Sequence, residues 1–186
     1  MSSGTRPDNS HTQRHSEEVS LVKFKSVNET DQFSFRDSQL FQLSLSGDPI
    51  SMELEALIVL PGNTQNTNYT ESYAGTVQLR FTDARLLSAV RDGYRYRDPD
   101  GKLLSETPDQ PLSEEALVSL PSHCEGAYLY AIEELSELNG KRRCALAIEL
   151  PQAEQYDTLI TDSYHLILSY EKAIFEWDHY MNRVQE

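Results

Sequence analysis

Hydrophobic residues stand at every second position in several stretches of this chain of 186 residues, and this spacing constrains the fold more than any other feature. Successive side chains of an extended strand point to opposite faces, so the spacing gathers apolar side chains on one face of a sheet. The clearest block is Met52 to Phe81. In it an apolar run ends at Pro61-Gly62, a polar loop covers Asn63 to Tyr73, and alternation resumes at Thr76. This block predicts a strand, a long loop and a second strand.

The same spacing predicts about eight or nine strands that are mostly antiparallel neighbours. Asn139-Gly140 predicts a hairpin turn between residues 127–135 and 142–150, because this dipeptide takes the positive φ that tight hairpins need. The second half of the predicted strand at 51–60 is apolar on both faces, which indicates cover from both sides. Residues 83–90 fit either a helical turn or a strand bend, and we interpret them as a short connection.

Two helices are predicted. The first covers residues 111–117, where Ser113 provides an N-cap, and Pro121 is expected to end it. Near the C-terminus, four apolar residues spaced three, four and three apart predict a helix that lies on the sheet. These residues are Ile174, Trp177, Met181 and Val184. A long final strand through Phe175 is the alternative interpretation.

These elements predict a mainly β protein of the α+β type. We expect an antiparallel β-sandwich or a partly open barrel with one short helix and a C-terminal helix. The length fits a single domain over residues 19–186. Residues 1–18 contain no Leu, Val, Ile, Phe, Tyr or Trp and cannot bury enough apolar surface to offset the entropy of ordering. We therefore expect a disordered tail there.

The formal net charge is −14, and much of the acidic excess lies between Asp98 and Glu137, where Lys102 is the only basic residue. Such a field repels phosphate backbones, which disfavours nucleic-acid binding but leaves a basic protein partner open. The longest apolar run, Ala56 to Leu60, is far shorter than the roughly 20 residues that cross a bilayer. Residues 1–18 also lack the apolar centre of a secretion signal. We expect a cytoplasmic protein without a membrane partner.

Catalytic and metal-binding patterns are sparse. Cys124 and Cys144 show neither a CxxC nor a Cys/His pattern, so we expect reduced thiols, no metal and no cofactor. His123 precedes Cys124, but neighbours on a strand point to opposite faces, which places this pair badly for proton transfer. A GxSxG elbow is absent. Glu53 and Glu55 share a strand face, although most such pairs are solvated.

The polar loop and a set of tyrosines are the candidate binding groups. The loop offers side-chain amides and hydroxyls without a basic residue. Tyrosine is enriched where an apolar surface meets a polar partner. The candidate binding residues are Asn63, Asn66, Asn68, Tyr69, Glu71 and Tyr73 in the loop, with Tyr94 and Tyr96 on a strand. The alternative is that the loop supports only itself and the tyrosines fill the edge of the core.

Four segments of the chain together resemble a known group of sequences. They are Asp37 to Leu40, Leu54 to Val59, Asn63 to Gly75 and Glu176 to Arg183. The chain resembles an uncharacterised family of small acidic domains from Firmicute bacteria, over roughly Val19 to Glu186. The resemblance implies a bacterial cytoplasmic protein, but it implies no activity and no catalytic residue.

Three hypotheses about function follow. The first is a non-enzymatic binding domain that uses the loop, the tyrosines and the acidic segment toward a protein or a small polar ligand. The second is a small hydrolase with a carboxylate and either His165 or His179 in a deep pocket. The third is an acidic inhibitor, or immunity-type partner, of a basic protein.

Overall fold

The computed structural model describes residues 22–151 and 162–183. Three sequence-based expectations therefore lie wholly or partly outside the described residues. They are the tail at 1–18, residues 19–21 and 152–161 of the domain predicted over 19–186, and Val184 of the predicted C-terminal helix.

Strands dominate the described residues. In chain order they are β1 (Phe24–Val27), β2 (Phe33–Ser34), β3 (Gln39–Ser44), β4 (Ile50–Glu55), β5 (Ile58–Val59), β6 (Ser72–Ala74), β7 (Val77–Thr82), β8 (Arg85–Arg91), β9 (Tyr94–Arg97), β10 (Leu103–Thr107), β11 (Gln110–Pro111), β12 (Ala127–Leu138), β13 (Lys141–Glu149), β14 (Ser163–Tyr170), β15 (Lys172–Trp177) and β16 (Tyr180–Arg183). A short 3₁₀ helix covers Thr30–Gln32, and one α-helix, α1, covers Glu114–His123.

The strands form one large sheet, one small sheet and a two-stranded ribbon. The large sheet has ten strands in the order β1-β15-β7-β4-β3-β12-β13-β14-β8-β11. The small sheet has the order β16-β6-β5-β2, and β9 and β10 make the ribbon. Each of these pairings is antiparallel. The mainly β antiparallel fold is confirmed. Because β1 and β11 end the large sheet without pairing with each other, it is not a closed barrel.

One hydrophobic core joins the two halves of the large sheet and the small sheet. Phe81 on β7 meets Tyr170 on β14 edge to face, with ring centroids 4.9 Å apart. Phe33 on β2 stacks on Phe175 of β15 at 4.1 Å. Such pairs add to the stabilisation that burial of the rings already provides. The inward positions of the alternating runs therefore fill this core, and the outward positions remain on the surface.

The prediction of a C-terminal helix is wrong. Residues Lys172–Trp177 and Tyr180–Arg183 form β15 and β16. Ala173, Phe175 and Trp177 are all buried, which is the two-residue period of a strand with one face in the core. Trp177 is 2% exposed whereas Met181 is 59% exposed, so the residues with helical spacing do not share a face. The alternative of a final strand through Phe175 is the correct one.

Sequence-based predictions for three short segments are also wrong. Residues 83–90 mostly form β8, which pairs with β14, rather than a short connection. Helix α1 continues through Pro121 to His123, so this proline does not end it. His123 ends α1 and Cys124 is its C-cap, so this pair lies at the end of a helix and not on a strand.

The predicted strand at 51–60 is divided between two sheets, and this explains part of the difference in strand number. Ala56 has a φ of 55°, in the left-handed region, which breaks the extended chain between β4 and β5. Ile58 and Val59 are both fully buried, as expected for residues covered from both sides.

Candidate functional site

The polar loop uses its buried asparagines to hold its own backbone. Asn66 is 7% exposed, and the two hydrogens of its Nδ2 are shared among the carbonyl oxygens of Val59, Leu60 and Thr70, which lie at 3.0, 3.1 and 2.9 Å. Its Oδ1 accepts from the backbone N–H of Asn68 at 2.9 Å. These bonds satisfy carbonyls that a strand would otherwise pair.

Asn63 performs a similar role at the other end of the loop. Its Nδ2 donates to Ser26 Oγ at 3.1 Å, and its Oδ1 accepts from the backbone N–H of Gln65 at 2.9 Å. Tyr180 on β16 adds a further tie, because its hydroxyl donates to the Gln65 carbonyl oxygen at 3.0 Å. Burial raises the pKa of Tyr180 to about 12. The loop is thus fastened to β1 and β16.

The remaining candidates of the loop are more accessible. Asn68 Nδ2 donates to Ser72 Oγ at 3.2 Å, and Tyr69 is 84% exposed with a φ of 59°. Glu71 pairs with Arg36 at 3.0 Å. The Tyr73 hydroxyl donates to Asp37 Oδ2 at 2.7 Å, and this bond, with a smaller effect of burial, raises the pKa of Tyr73.

Tyr94 and Tyr96 lie apart from the loop. Both are exposed on β9 of the ribbon, where β9 pairs only with β10. Within the part of the chain that the structure describes, no hydrogen bond joins either tyrosine to the loop. The structure therefore brings Glu71 and Tyr73 together at the surface, but it does not unite the eight predicted residues into one site.

A different polar region crosses four strands of the large sheet. Strand register aligns Gln42 of β3 with Glu53 of β4, Glu53 with Gln78 of β7, and Gln78 with Glu176 of β15. Gln39 is aligned with Glu55. Residues directly opposite in such a ladder lie on the same face. We call this surface the polar sheet face, and its members are Gln39, Gln42, Glu53, Glu55, Thr76, Gln78 and Glu176. Lys25 of β1 and Arg80 of β7 are the two cations beside these members.

A bulge in β3 is what brings both of its glutamines to this face. The register of β3 against β4 shifts between Leu40 and Gln42, which leaves Phe41 as the extra residue. An extra residue changes the alternation, so Gln39 and Gln42 point outward although they are three positions apart. Leu40 and Leu43, also three apart, both enter the core.

The charges on the polar sheet face are partly neutralised. Glu176, whose side chain is 12% exposed, pairs with Lys25 at 3.0 Å and also with Arg80. Gln78 Nε2 donates to Glu53 Oε2 at 2.6 Å. Glu55 is exposed and makes no hydrogen bond or ion pair to any described residue. The face therefore offers carboxylate acceptors and amide groups, while its two cations are already bound.

Three depressions follow the polar sheet face and share residues. One, of about 450 Å³, is lined by Gln39, Glu55, Tyr73, Thr76, His179 and Met181, among others. A second, of about 370 Å³, includes Glu53, Thr76, Gln78, Glu176 and His179. A third, of about 260 Å³, lies between Phe41, Gln42, Glu53, Gln78 and the end of α1 at Pro121. Because Thr76, Gln78 and Glu53 each belong to two of them, the depressions form a continuous surface.

His179 stands between two of these depressions. Its Nδ1 lies 2.5 Å from Asp178 Oδ1, and its imidazole covers Gly75 so closely that a Cβ there would be 2.6 Å from Cε1. The backbone N–H of Gly75 also donates to the His179 carbonyl oxygen at 2.8 Å. Glycine at position 75 is thus required for the imidazole to lie against the sheet.

His165, the other histidine of the hydrolase hypothesis, has a different arrangement. Asp92 lies 2.6 Å from His165 Nδ1 and accepts a bond from Ser163 Oγ at 2.8 Å. In a nucleophilic triad the imidazole lies between the hydroxyl and the carboxylate, because it must remove the hydroxyl proton. Here the carboxylate lies between them, so this cluster does not activate Ser163.

The cysteines are buried and unpaired. Burial raises the pKa of Cys124 to about 11 and that of Cys144 to about 12. Thiols of this kind are poor nucleophiles at neutral pH because the thiolate is the reactive form. Among residues 22–151 and 162–183, no three His, Cys, Asp or Glu side chains are grouped so that they could hold a metal ion.

Helix α1 is the only α-helix of the described residues, and neither its length nor its composition would let it cross a bilayer. Comparison of the chain with protein-family models, with curated proteins and with solved structures finds no match. The assignment of a function therefore depends on the geometry of the chain itself.

Alternation in the sequence places Glu53 and Glu55 on one strand face, but it does not predict a role for Gln39, Gln42, Gln78 or Thr76. The signal was present in the outward positions of the alternating runs, since Gln42, Glu53 and Gln78 each lie beside buried residues. Their alignment depends on strand order and on the bulge in β3, which a single sequence does not specify.

Proposed function

We propose that the protein is a non-enzymatic binding domain and that the polar sheet face is its binding surface. The observation that carries this proposal is the alignment of Gln42, Glu53 and Gln78 across neighbouring strands, beneath two depressions that share residues and adjoin the third. A rigid sheet holds such groups in fixed positions, which lowers the entropy lost when a ligand binds. The unpaired thiols are compatible with the reducing cytoplasm.

The predicted loop contributes to this surface through its last residues. Tyr73 lines the largest of the three depressions, and its hydroxyl is held by Asp37. Asn63 and Asn66 contribute indirectly, because their bonds fix the path of the loop. Tyr94 and Tyr96 belong to the ribbon and have no part in this proposal.

The test maps the binding of defined probes on the isotope-labelled full-length chain by NMR. The probes are an array-selected neutral glycan and a hexalysine peptide, which stand for a small polar ligand and a basic protein. We expect shifts of the amides at 39–42, 53–55 and 76–78, and loss of these shifts in Gln78→Ala. The matched control is Gln110→Ala, since Gln110 is an exposed strand glutamine outside the face.

Two results would contradict the proposal. One is that neither probe class binds at millimolar concentration. The other is that a probe binds but shifts only the ribbon or the opposite half of the large sheet, with Gln78→Ala and Gln110→Ala behaving alike.

A hydrolase is the second candidate, and the position of His179 is the observation that favours it. With Asp178 at Nδ1, the other imidazole nitrogen is left to act as a base, and Glu55 and Thr76 line the same depression. Hydrolysis of nitrophenyl esters and glycosides that disappears in His179→Ala and persists in His165→Ala would support this candidate. Equal background rates of hydrolysis for the wild type, His179→Ala and His165→Ala would reject the hydrolase candidate.

A further inference from the structure

We infer that the ligand of the polar sheet face is a neutral oligosaccharide, and this inference rests on the proposed function. An anionic ligand is disfavoured by the charges present. Glu53, Glu55 and Glu176 contribute three carboxylates, and the two cations of the face, Lys25 and Arg80, are both bound to Glu176. An incoming phosphate or carboxylate would thus meet like charge without a cation to receive it.

A purely cationic ligand also fits incompletely. Three of the seven members of the face are glutamines, and each side-chain amide carries two N–H donors beside its acceptor oxygen. An ammonium or guanidinium group only donates, so it would satisfy Glu53 and Glu55 but leave the amide donors of Gln42 unmatched, together with the second amide hydrogen of Gln39, whose Nε2 already donates to the Tyr128 hydroxyl at 3.4 Å. A sugar hydroxyl both donates and accepts, and neighbouring hydroxyls match the alternation of amide and carboxylate.

Most acidic residues of the stretch from Asp98 to Glu137 do not line the depressions of the face, which supports the same conclusion. The acidic excess of residues 98–137 falls on the ribbon, α1 and β12, and Glu125 is the only acidic residue of that stretch that lines one of the three depressions. A surface for capturing a basic protein would be expected to use that excess. The polar sheet face instead combines a modest charge with many hydrogen-bonding groups.

Aromatic side chains line two of the three depressions. Phe41 is partly exposed at the bulge of β3 and lines one depression, and Tyr73 lines another. The faces of sugar rings carry C–H groups that pack on aromatic rings. The strands β3, β4, β7 and β15 lie about 4.8 Å apart, so the aligned row is about 14 Å long. This length suits several sugar rings in succession rather than a single one.

The experiment screens the full-length chain against an array of neutral glycans and, in parallel, against hexalysine, each at 50 and 500 mM NaCl. We expect a neutral glycan to bind with an affinity that changes less than about twofold with salt, since no ion pair is formed. Gln78→Ala and Phe41→Ala should each weaken this binding at least about tenfold, which is a loss of about 1.4 kcal/mol. Gln110→Ala and Glu133→Gln, at exposed strand positions outside the face, should leave it unchanged.

The possible failures are distinguishable. Salt-sensitive binding of hexalysine, lost in Glu55→Gln and without glycan binding, would overturn the oligosaccharide inference while leaving the binding surface in place. Glycan binding that is indifferent to Gln78→Ala and Phe41→Ala would overturn the assignment of the ligand to this face. Binding of neither probe class would overturn both the inference and the proposed function.

Discussion

The loop from Asn63 to Tyr73 and the polar sheet face are both rich in amide and carboxylate side chains, but they direct these groups to different partners. In the loop, Asn63 and Asn66 are buried and bind neighbouring backbone and side-chain groups. On the sheet face, Gln42, Glu55 and Gln78 are exposed, and the backbone beneath them is already paired in the strand ladder. Polar side chains thus bond the protein itself where the backbone is irregular, and they remain available to a ligand where the backbone is paired in strands.

The largest expected loss of stability follows from a substitution in the loop. Asn66→Ala should lower the free energy of unfolding by about 3 kcal/mol, because three carbonyl oxygens lose their donor inside the protein. The measurement is urea unfolding followed by the fluorescence of Trp177, which is the only tryptophan of the chain. Asn68→Ala is the matched control, since its amide donates a single bond, to Ser72 Oγ, and should cost about 1 kcal/mol or less. Equal losses for both variants would show that the buried asparagine does not organise the loop.

A second, smaller effect concerns the bond between Tyr180 and the loop. Because the pKa of Tyr180 is raised from 10.0 to about 12, its contribution to stability is complete below pH 10 and is lost as the pH rises toward 12. Tyr180→Phe should therefore lower the free energy of unfolding by about 1 kcal/mol at pH 8, and this difference from the wild type should shrink above pH 10.

The control for this pH dependence is Ser72→Ala. Its hydroxyl donates to the Thr70 carbonyl oxygen in the same loop and does not titrate, so its difference from the wild type should be the same at pH 8 and pH 11. If the free energies of unfolding of the two variants changed with pH in the same way, titration of the Tyr180 hydroxyl would not control the bond between β16 and the loop.

Local patterns in the sequence were sufficient for the fold class but not for the path of the chain. Alternation predicted the antiparallel strands, and Asn139-Gly140 forms the turn between β12 and β13 as expected. The helical spacing of Ile174, Trp177 and Met181 predicted the wrong element, because the residues that enter the core are Ala173, Phe175 and Trp177. Where two periods fit one short segment, tertiary packing decides between them.

The candidate site was harder to predict for a related reason. The loop is a predicted binding site because its polar residues are consecutive in the sequence. Consecutive polar residues are also what an irregular loop needs to bond its own backbone. The residues of the polar sheet face are separated by apolar neighbours and become adjacent only through the strand order β3-β4-β7-β15. That order joins residues far apart in sequence, which local spacing does not encode.

The smallest expected change in stability concerns the polar sheet face, and it tests whether the polar groups of this face stabilise the fold. Gln78→Ala should change the free energy of unfolding by less than about 0.5 kcal/mol, because Gln78 is exposed and water replaces its bond to Glu53. Urea unfolding beside Gln110→Ala, the exposed glutamine of an edge strand, provides the reference. A loss above about 1 kcal/mol for Gln78→Ala alone would mean that the row of amides and carboxylates stabilises the sheet. In that case the face, like the loop, would use its polar groups for the fold, whereas a negligible loss leaves them available to a ligand.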